Sequence, residues 1–190
     1  MKELKFIHIT KTGGTSIENI AKSHNILWGR FHKEYGHWHD IFKQKSIIFK
    51  NKYDWFVVVR NPYERIISEF YCKWGTNIKI NKYHISKLEF NYFIQKYIIY
   101  RNRVGGYGHY IEQYKYIDDV SNIQILKFEN LKEEFNNLMN KYSLNMKLTR
   151  HDNKGILKFT IDSLSQESIK LINKVYEKDF KMFGYKRLHL

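Results

Sequence analysis

Three observations predict an α/β fold with a central parallel sheet flanked by helices. Three short apolar runs, residues 4–9, 55–59 and 123–126, have the length and residue types of strands. Each is followed by a stretch in which apolar residues recur at helical spacing. The 190 residues hold no internal repeat and no low-complexity linker, so strand and helix alternate within one domain spanning 1–190. Alternation of this kind gives parallel strands joined by helical crossovers.

Taken in order, residues 4–9 are the first strand. Thr15 and Glu18 have the S/T-x-x-E spacing of a capping box, which starts the first helix near Thr15. Trp55, Phe56, Val57, Val58 and Val59 form an unbroken β-former run, as in a strand covered on both faces. Asn61 is then the N-cap and Pro62 the first-turn residue of a helix with apolar positions Ile66, Ile67, Phe70, Tyr71 and Trp74. Residues 88–100 read as an aromatic-rich helix, with Tyr92, Phe93, Tyr97 and Tyr100 assigned to the core. Gly105, Gly106 and Gly108 mark a turn; they follow no strand, and a dinucleotide-loop order is incomplete. Residues 123–126 are the third strand, and Asn130 with Glu133 caps a helix running to about Tyr142. The polar stretch 145–160 is expected to be a mobile loop, and 163–180 closes the chain as one helix.

Composition narrows the function classes. Hydrophobic residues make up 43% and aromatics 17%, with a single proline, which excludes a disordered chain. The one cysteine, Cys72, excludes an internal disulfide framework and suits a reducing compartment. No apolar run approaches the ~20 residues that cross a bilayer, and Met1-Lys2-Glu3 lacks the apolar core of a signal peptide. If full length, the chain is expected to be cytoplasmic. Lys+Arg outnumber Asp+Glu 33 to 19, a formal +14, which favours polyanionic partners: nucleic acid, acidic polysaccharide, anionic lipid or a multiply phosphorylated cofactor. A lysine-rich surface kept for solubility has the same signature.

Ligands of parallel sheets gather at the carboxyl ends of the strands. At the first such end the chain runs through Lys11, Thr12, Gly13, Gly14, Thr15 and Ser16. Two glycines let backbone approach a ligand closely, and the first-turn N–H groups with the helix dipole favour an anion. Lys11 adds a full charge; Thr12, Thr15 and Ser16 add hydroxyls. These are the parts of a phosphate cradle, and a plain strand-to-helix turn with a solvated lysine is the alternative. It is not the loop of NTPases, because the lysine precedes the glycines. At the second strand end stands Arg60, whose planar fork can grip a phosphate, with Ser68 about two turns along the next helix. A structural ion pair is the alternative for Arg60, and Arg65 is read as a surface or interface charge. Two grips on neighbouring strand ends suit a nucleotide phosphorylated at two positions.

His8-Ile9-Thr10-Lys11-Thr12-Gly13-Gly14-Thr15-Ser16-Ile17 resembles the 5′-phosphosulfate loop of sulfotransferases that use 3′-phosphoadenosine-5′-phosphosulfate (PAPS). The branch it resembles is the carbohydrate one, which includes heparan sulfate 2-O-sulfotransferase. Phe56-Val57-Val58-Val59-Arg60-Asn61-Pro62-Tyr63-Glu64-Arg65-Ile66-Ile67-Ser68 is similar to that family's 3′-phosphate signature, with Arg60 and Ser68 as the ligands. Residues 127–131 and 176–185 are similar to its later landmarks. Thr10 stands where the family usually has proline, and residues 75–115 match none of its segments. The resemblance implies a P-loop-like sulfotransferase fold. It also implies transfer of a sulfuryl group from PAPS to a hydroxyl of a carbohydrate-like acceptor, without a metal, leaving 3′,5′-adenosine bisphosphate.

The same family carries an H-x-H pair between its two nucleotide motifs, and His37-Trp38-His39 occupies that interval. The resemblance implies that one histidine is the base and the other positions the acceptor, while Lys11 neutralises the bridging oxygen. It likewise implies that the basic loop with Arg150 and Lys154 folds over the 3′-phosphate side. On the residues alone, His37 and His39 read equally as surface histidines. With His24 and His32 nearby a metal site is conceivable, but no Cys pair or H-E-x-x-H frame supports it. A nucleotide or polynucleotide kinase and a basic nucleic-acid-binding module are the competing classes. The first lacks the NTPase loop and a Mg²⁺ carboxylate beside it; the second leaves the two motifs unexplained. The expected partner is a glycan or other polyanionic sugar, and an excised catalytic domain would belong to the Golgi lumen.

Overall fold

The computed structural model describes residues 1–32, 47–75, 81–101, 108–117, 123–149 and 157–189. The chain is an α/β protein with a three-stranded parallel sheet flanked by helices. Its elements in order are β1 (Leu4–Ile7), α1 (Gly14–Ser23), α2 (Ile47–Lys52), β2 (Asp54–Val59), α3 (Pro62–Tyr71), α4 (Lys87–Ile99), β3 (Ile123–Lys127), α5 (Leu131–Lys141), α6 (Gln166–Val175) and α7 (Glu177–Phe183). They fall into two compact units, Met1–Arg60 with Lys115–Lys154, and Asn61–Tyr114 with Gly155–Leu190. Among the described residues no helix is long and apolar enough to cross a membrane.

The first unit holds the sheet, in the order β1-β2-β3. The register aligns Phe6 with Phe56 and Phe56 with Gln124, so β2 is bonded on both edges. Trp55 through Val59 are all buried, which is why that run carries no polar alternation. Phe6, Phe56 and Val58 from the strands meet Ile17 and Ala21 of α1 and Leu131, Phe135, Leu138 and Met139 of α5. Each of these side chains other than Ala21 contributes about 1.5–3 kcal/mol on burial. Trp28 lies in the same core with its indole N–H donating to the Leu4 carbonyl at 2.8 Å, so its polar edge is satisfied. Met146 and Leu148 are buried there too, so the start of the expected mobile loop at 145–160 is anchored.

The second unit is built from α3, α4, α6 and α7. Asn61 caps α3 as predicted, its side chain accepting the Tyr63 N–H at 3.0 Å, and Pro62 occupies the first turn. The helix stops at Tyr71, earlier than the apolar spacing suggests, and Trp74 is 66% exposed. Helix α4 is started by a Ser86–Glu89 capping box whose cap residue, Ser86, lies just outside the predicted 88–100. Phe90, Ile94, Tyr97 and Ile98 are in the core, whereas Tyr92 and Tyr100 are exposed, correcting their assignment. The single closing helix predicted for 163–180 is two helices that break at Tyr176. Tyr176 donates its hydroxyl to the Tyr110 carbonyl at 2.7 Å, and the restarted helix delivers Asp179 to the N–H groups of Gln113 and Tyr114 at 2.8 and 2.9 Å. That buried anchoring outweighs helix continuity. Phe159 is buried in this unit, fixing the other end of the expected loop.

Candidate functional site

The sheet delivers the chain to the first strand end as a buried segment. After β1, His8, Ile9 and Thr10 remain buried and the chain turns through residues 11–13 into α1. Lys11 takes φ 60 and Gly13 φ 85, two left-handed conformations that fold the loop back on itself. Thr12, fully buried, donates its hydroxyl to the Ile9 carbonyl at 2.9 Å and so ties the turn shut. Its hydroxyl proton is therefore spent inside the loop, and its backbone N–H is what it can offer a ligand. Ser16 is also buried, and Thr15 and Lys11 are half-buried.

The helix start differs from the prediction. Gly13 is the N-cap, and no side chain caps α1; the capping box of Thr15 and Glu18 does not form. Glu18 is instead fully buried and binds His8 Nδ1 at 2.8 Å, Arg30 Nε at 3.1 Å and the Arg30 backbone N–H at 2.8 Å. A buried carboxylate gains more from two cationic or polar partners than from an exposed cap. The first turn of α1 thus has no side-chain cap from its N-cap residue, and its dipole favours an anion there.

The glycines are also required for a reason the sequence does not display. A Cβ on Gly14 would stand 2.2 and 2.3 Å from Cδ2 and Nε2 of the His8 ring. A Cβ on Gly13 would meet Leu131 Cδ2 at 2.9 Å and Phe128 Cε2 at 3.2 Å. Close approach of protein to protein thus fixes both positions. His8, Glu18, Arg30 and Phe128 were not singled out as site residues by motif reading. The available signals were the placement of His8 at one strand end and Phe128 at another.

Arg60 follows β2, the strand next to β1, and reaches the loop. Its Nη1 donates to the Lys11 carbonyl at 3.4 Å, and its guanidinium lies 4.2 Å from the centre of the Phe128 ring. Stacking on the ring and the carbonyl contact hold the fork flat beside Lys11. The sheet therefore brings the Arg60 guanidinium to the backbone of the Lys11 loop, with an aromatic face from the third strand end.

Other predicted residues fall elsewhere. Ser68 lies on α3 in the second unit and is half-buried. Arg65 is not a surface charge: it is 1% exposed, donates to the Ile111 carbonyl at 2.8 Å and pairs with Glu69 at 3.4 Å. Of the histidines weighed as metal ligands, His24 is exposed and bonds to the Ile20 carbonyl, and His32 packs edge-on against Phe49 and Tyr53. His37, His39, Arg150 and Lys154 lie outside the described residues.

A comparison with curated proteins gave no match. Residues 2–186 match the model of the sulfotransferase family, a span that includes the loop at 11–16, Arg60 and Phe128. The chain belongs to the sulfotransferase family.

Proposed function

We propose that the chain is a PAPS-dependent O-sulfotransferase, with one catalytic domain over 1–190, acting on a hydroxyl of a carbohydrate-like acceptor. Sulfuryl transfer is the chemistry of the family to which the chain belongs. The observation that carries the choice of donor is the meeting of Lys11 and Arg60 at a helix start that no side chain caps. A cationic loop of fixed shape that leads into a helix N-terminus suits phosphate oxygens.

The donor, when bound, supplies a sulfuryl group already attached to a phosphate leaving group. Lys11, the N–H groups of residues 12–15 and the Ser16 hydroxyl bind the 5′-phosphate and stabilise the charge that collects on its bridging oxygen. Arg60 and Ser68 are ligands for the 3′-phosphate, with Arg150 and Lys154 as further cations on that side. One of His37 and His39 takes the acceptor's proton as the acceptor oxygen bonds to sulfur, and the other orients the acceptor. No metal takes part in the step as proposed. The whole +14 chain suits an acidic sugar as acceptor.

Calorimetry with 3′,5′-adenosine bisphosphate tests the donor assignment. Folded protein should bind it, and absence of binding would sink the reading. A screen of acceptors with PAPS, read as release of the bisphosphate, then identifies the substrate. His37→Ala and His39→Ala, made singly, should separate the base from its helper. Normal turnover in both would refute the base assignment.

A further inference from the structure

We propose that Glu69, Cys72 and His109 form a zinc-binding site that ties the end of α3 to the segment at His109. These residues have no part in the sulfuryl-transfer reading. Glu69 closes the last turn of α3 and Cys72 is the residue that ends it, with its N–H donating to the Glu69 carbonyl at 2.9 Å. The i, i+3 spacing places both side chains on one face of that turn. His109, 40 positions from Glu69, brings Nδ1 to 2.6 Å from Glu69 Oε2. One donor atom from each of the three lies within 4.8 Å of the other two.

Three features favour a metal ion over a mere polar contact. First, the set is unusually well suited to one: a thiol, an imidazole nitrogen and a carboxylate are the ligands of borderline cations, and a thiolate discriminates against Mg²⁺ and Ca²⁺. Second, the carboxylate is held from behind. Glu69 is fully buried, and Arg65 Nη2 binds its Oε1 at 3.4 Å, which leaves Oε2 aimed at His109. Outer partners of this kind orient metal ligands. Third, Gly75 packs closely against the donors: a Cβ there would sit 3.1 Å from His109 Nδ1 and 3.2 Å from Glu69 Oε2, so only a residue without a side chain keeps those atoms clear.

Tetrahedral zinc needs its nitrogen and oxygen ligands about 3.3 Å apart, with bonds of about 2.0–2.3 Å. The 2.6 Å contact is the hydrogen-bonded, metal-free arrangement, and metal binding requires it to widen by about 0.7 Å. On binding, the Cys72 thiol loses its proton to solvent, and His109 presents Nδ1 as a lone pair with its proton on Nε2. Three protein ligands leave the fourth position to water.

The test uses the full chain, freed of metal by a chelator and then titrated with Zn²⁺ or Co²⁺. One equivalent should bind, Co²⁺ should give a thiolate-to-metal charge-transfer band, and Zn²⁺ should raise the melting temperature. Cys72→Ser, a half-exposed and nearly isosteric change, should remove the band while the circular dichroism stays native. His109→Gln should weaken binding by more than about tenfold, since even outer-shell losses reach that size. Binding that is substoichiometric, lacks the charge-transfer band, or is unchanged in Cys72→Ser overturns the proposal. Nucleotide binding, measured on the same metal-free sample, reports separately on the donor assignment.

Discussion

Two buried glutamates, Glu18 and Glu69, each hold a histidine and an arginine, and the two sets are nearly the same in composition. Glu18 binds His8 at 2.8 Å and Arg30 at 3.1 Å; Glu69 binds His109 at 2.6 Å and Arg65 at 3.4 Å. Both glutamates are fully buried. What differs is the neighbour. In the first unit the His8 ring presses on the backbone of Gly14, so the polar set braces a loop and its cost of burial is offset by a fixed backbone shape. In the second unit the histidine lies beside a thiol and against a closely packed glycine, so the same chemistry presents donor atoms. The lesson is that a buried Arg–Glu–His set does not define a function; the group beside the histidine does.

The strongest way to separate the two sets is to remove the carboxylates. Glu18→Ala and Glu69→Ala should each lower stability by about 3–5 kcal/mol in denaturant titrations, because each removes the carboxylate shared by a buried histidine and an arginine. The milder Glu18→Gln should weaken adenosine bisphosphate binding, and Glu69→Gln should not; equal effects would erase the distinction. Next in size, Lys11→Ala or Arg60→Ala should reduce turnover by about 10²–10³-fold with the melting temperature nearly unchanged.

Asp179 is another buried carboxylate, held among the described residues by backbone N–H groups rather than by a cation in hydrogen-bond contact. Burial pushes its pKa from 3.8 up to about 6, although the Gln113 and Tyr114 N–H groups and the Arg65 charge act the other way. The folded protein therefore holds this proton more tightly than the unfolded chain. Its contribution is present below about pH 4 and is lost as pH rises to about 6, by at most about 3 kcal/mol. The difference in stability between wild type and Asp179→Asn should change across that window and be flat above it; a flat difference throughout would reject the shift.

Smaller effects probe the two glycines. Gly14→Ala should cost about 1–3 kcal/mol through its collision with His8, and His8→Ala in the same chain should relieve part of that in a double-mutant cycle. Gly75→Ala meets contacts of 3.0–3.2 Å and should cost less. Removing the α3 cap by Asn61→Ala should cost about 1 kcal/mol.

The parallel sheet was legible because Trp55 through Val59 are apolar without interruption, and only a strand covered on both faces needs that. The placement of the loop at 11–16 and of Arg60 at neighbouring strand ends was legible from the apolar runs that precede them. The fate of Glu18 was not. Its spacing from Thr15 fits a cap, and only the folded chain reveals a buried histidine competing for it. The break at Tyr176 escaped notice for a similar reason: apolar periodicity continues across it, while the partners of Tyr176 and Asp179 are about 66 residues away. Trp74 and Tyr92 misled because helical spacing says which residues share a face, but not whether anything covers it.

The hydrogen bond from Thr12 to the Ile9 carbonyl closes the loop without help from any ligand. The ordering entropy of that turn is therefore met when the chain folds, and nucleotide association should need no slow rearrangement of the loop. In stopped-flow mixing the observed rate should rise linearly with nucleotide concentration, with no plateau from loop closure. Thr12→Val keeps the shape of the side chain but lacks the tie. Its signature would be kinetic, a new saturating phase, before it was thermodynamic.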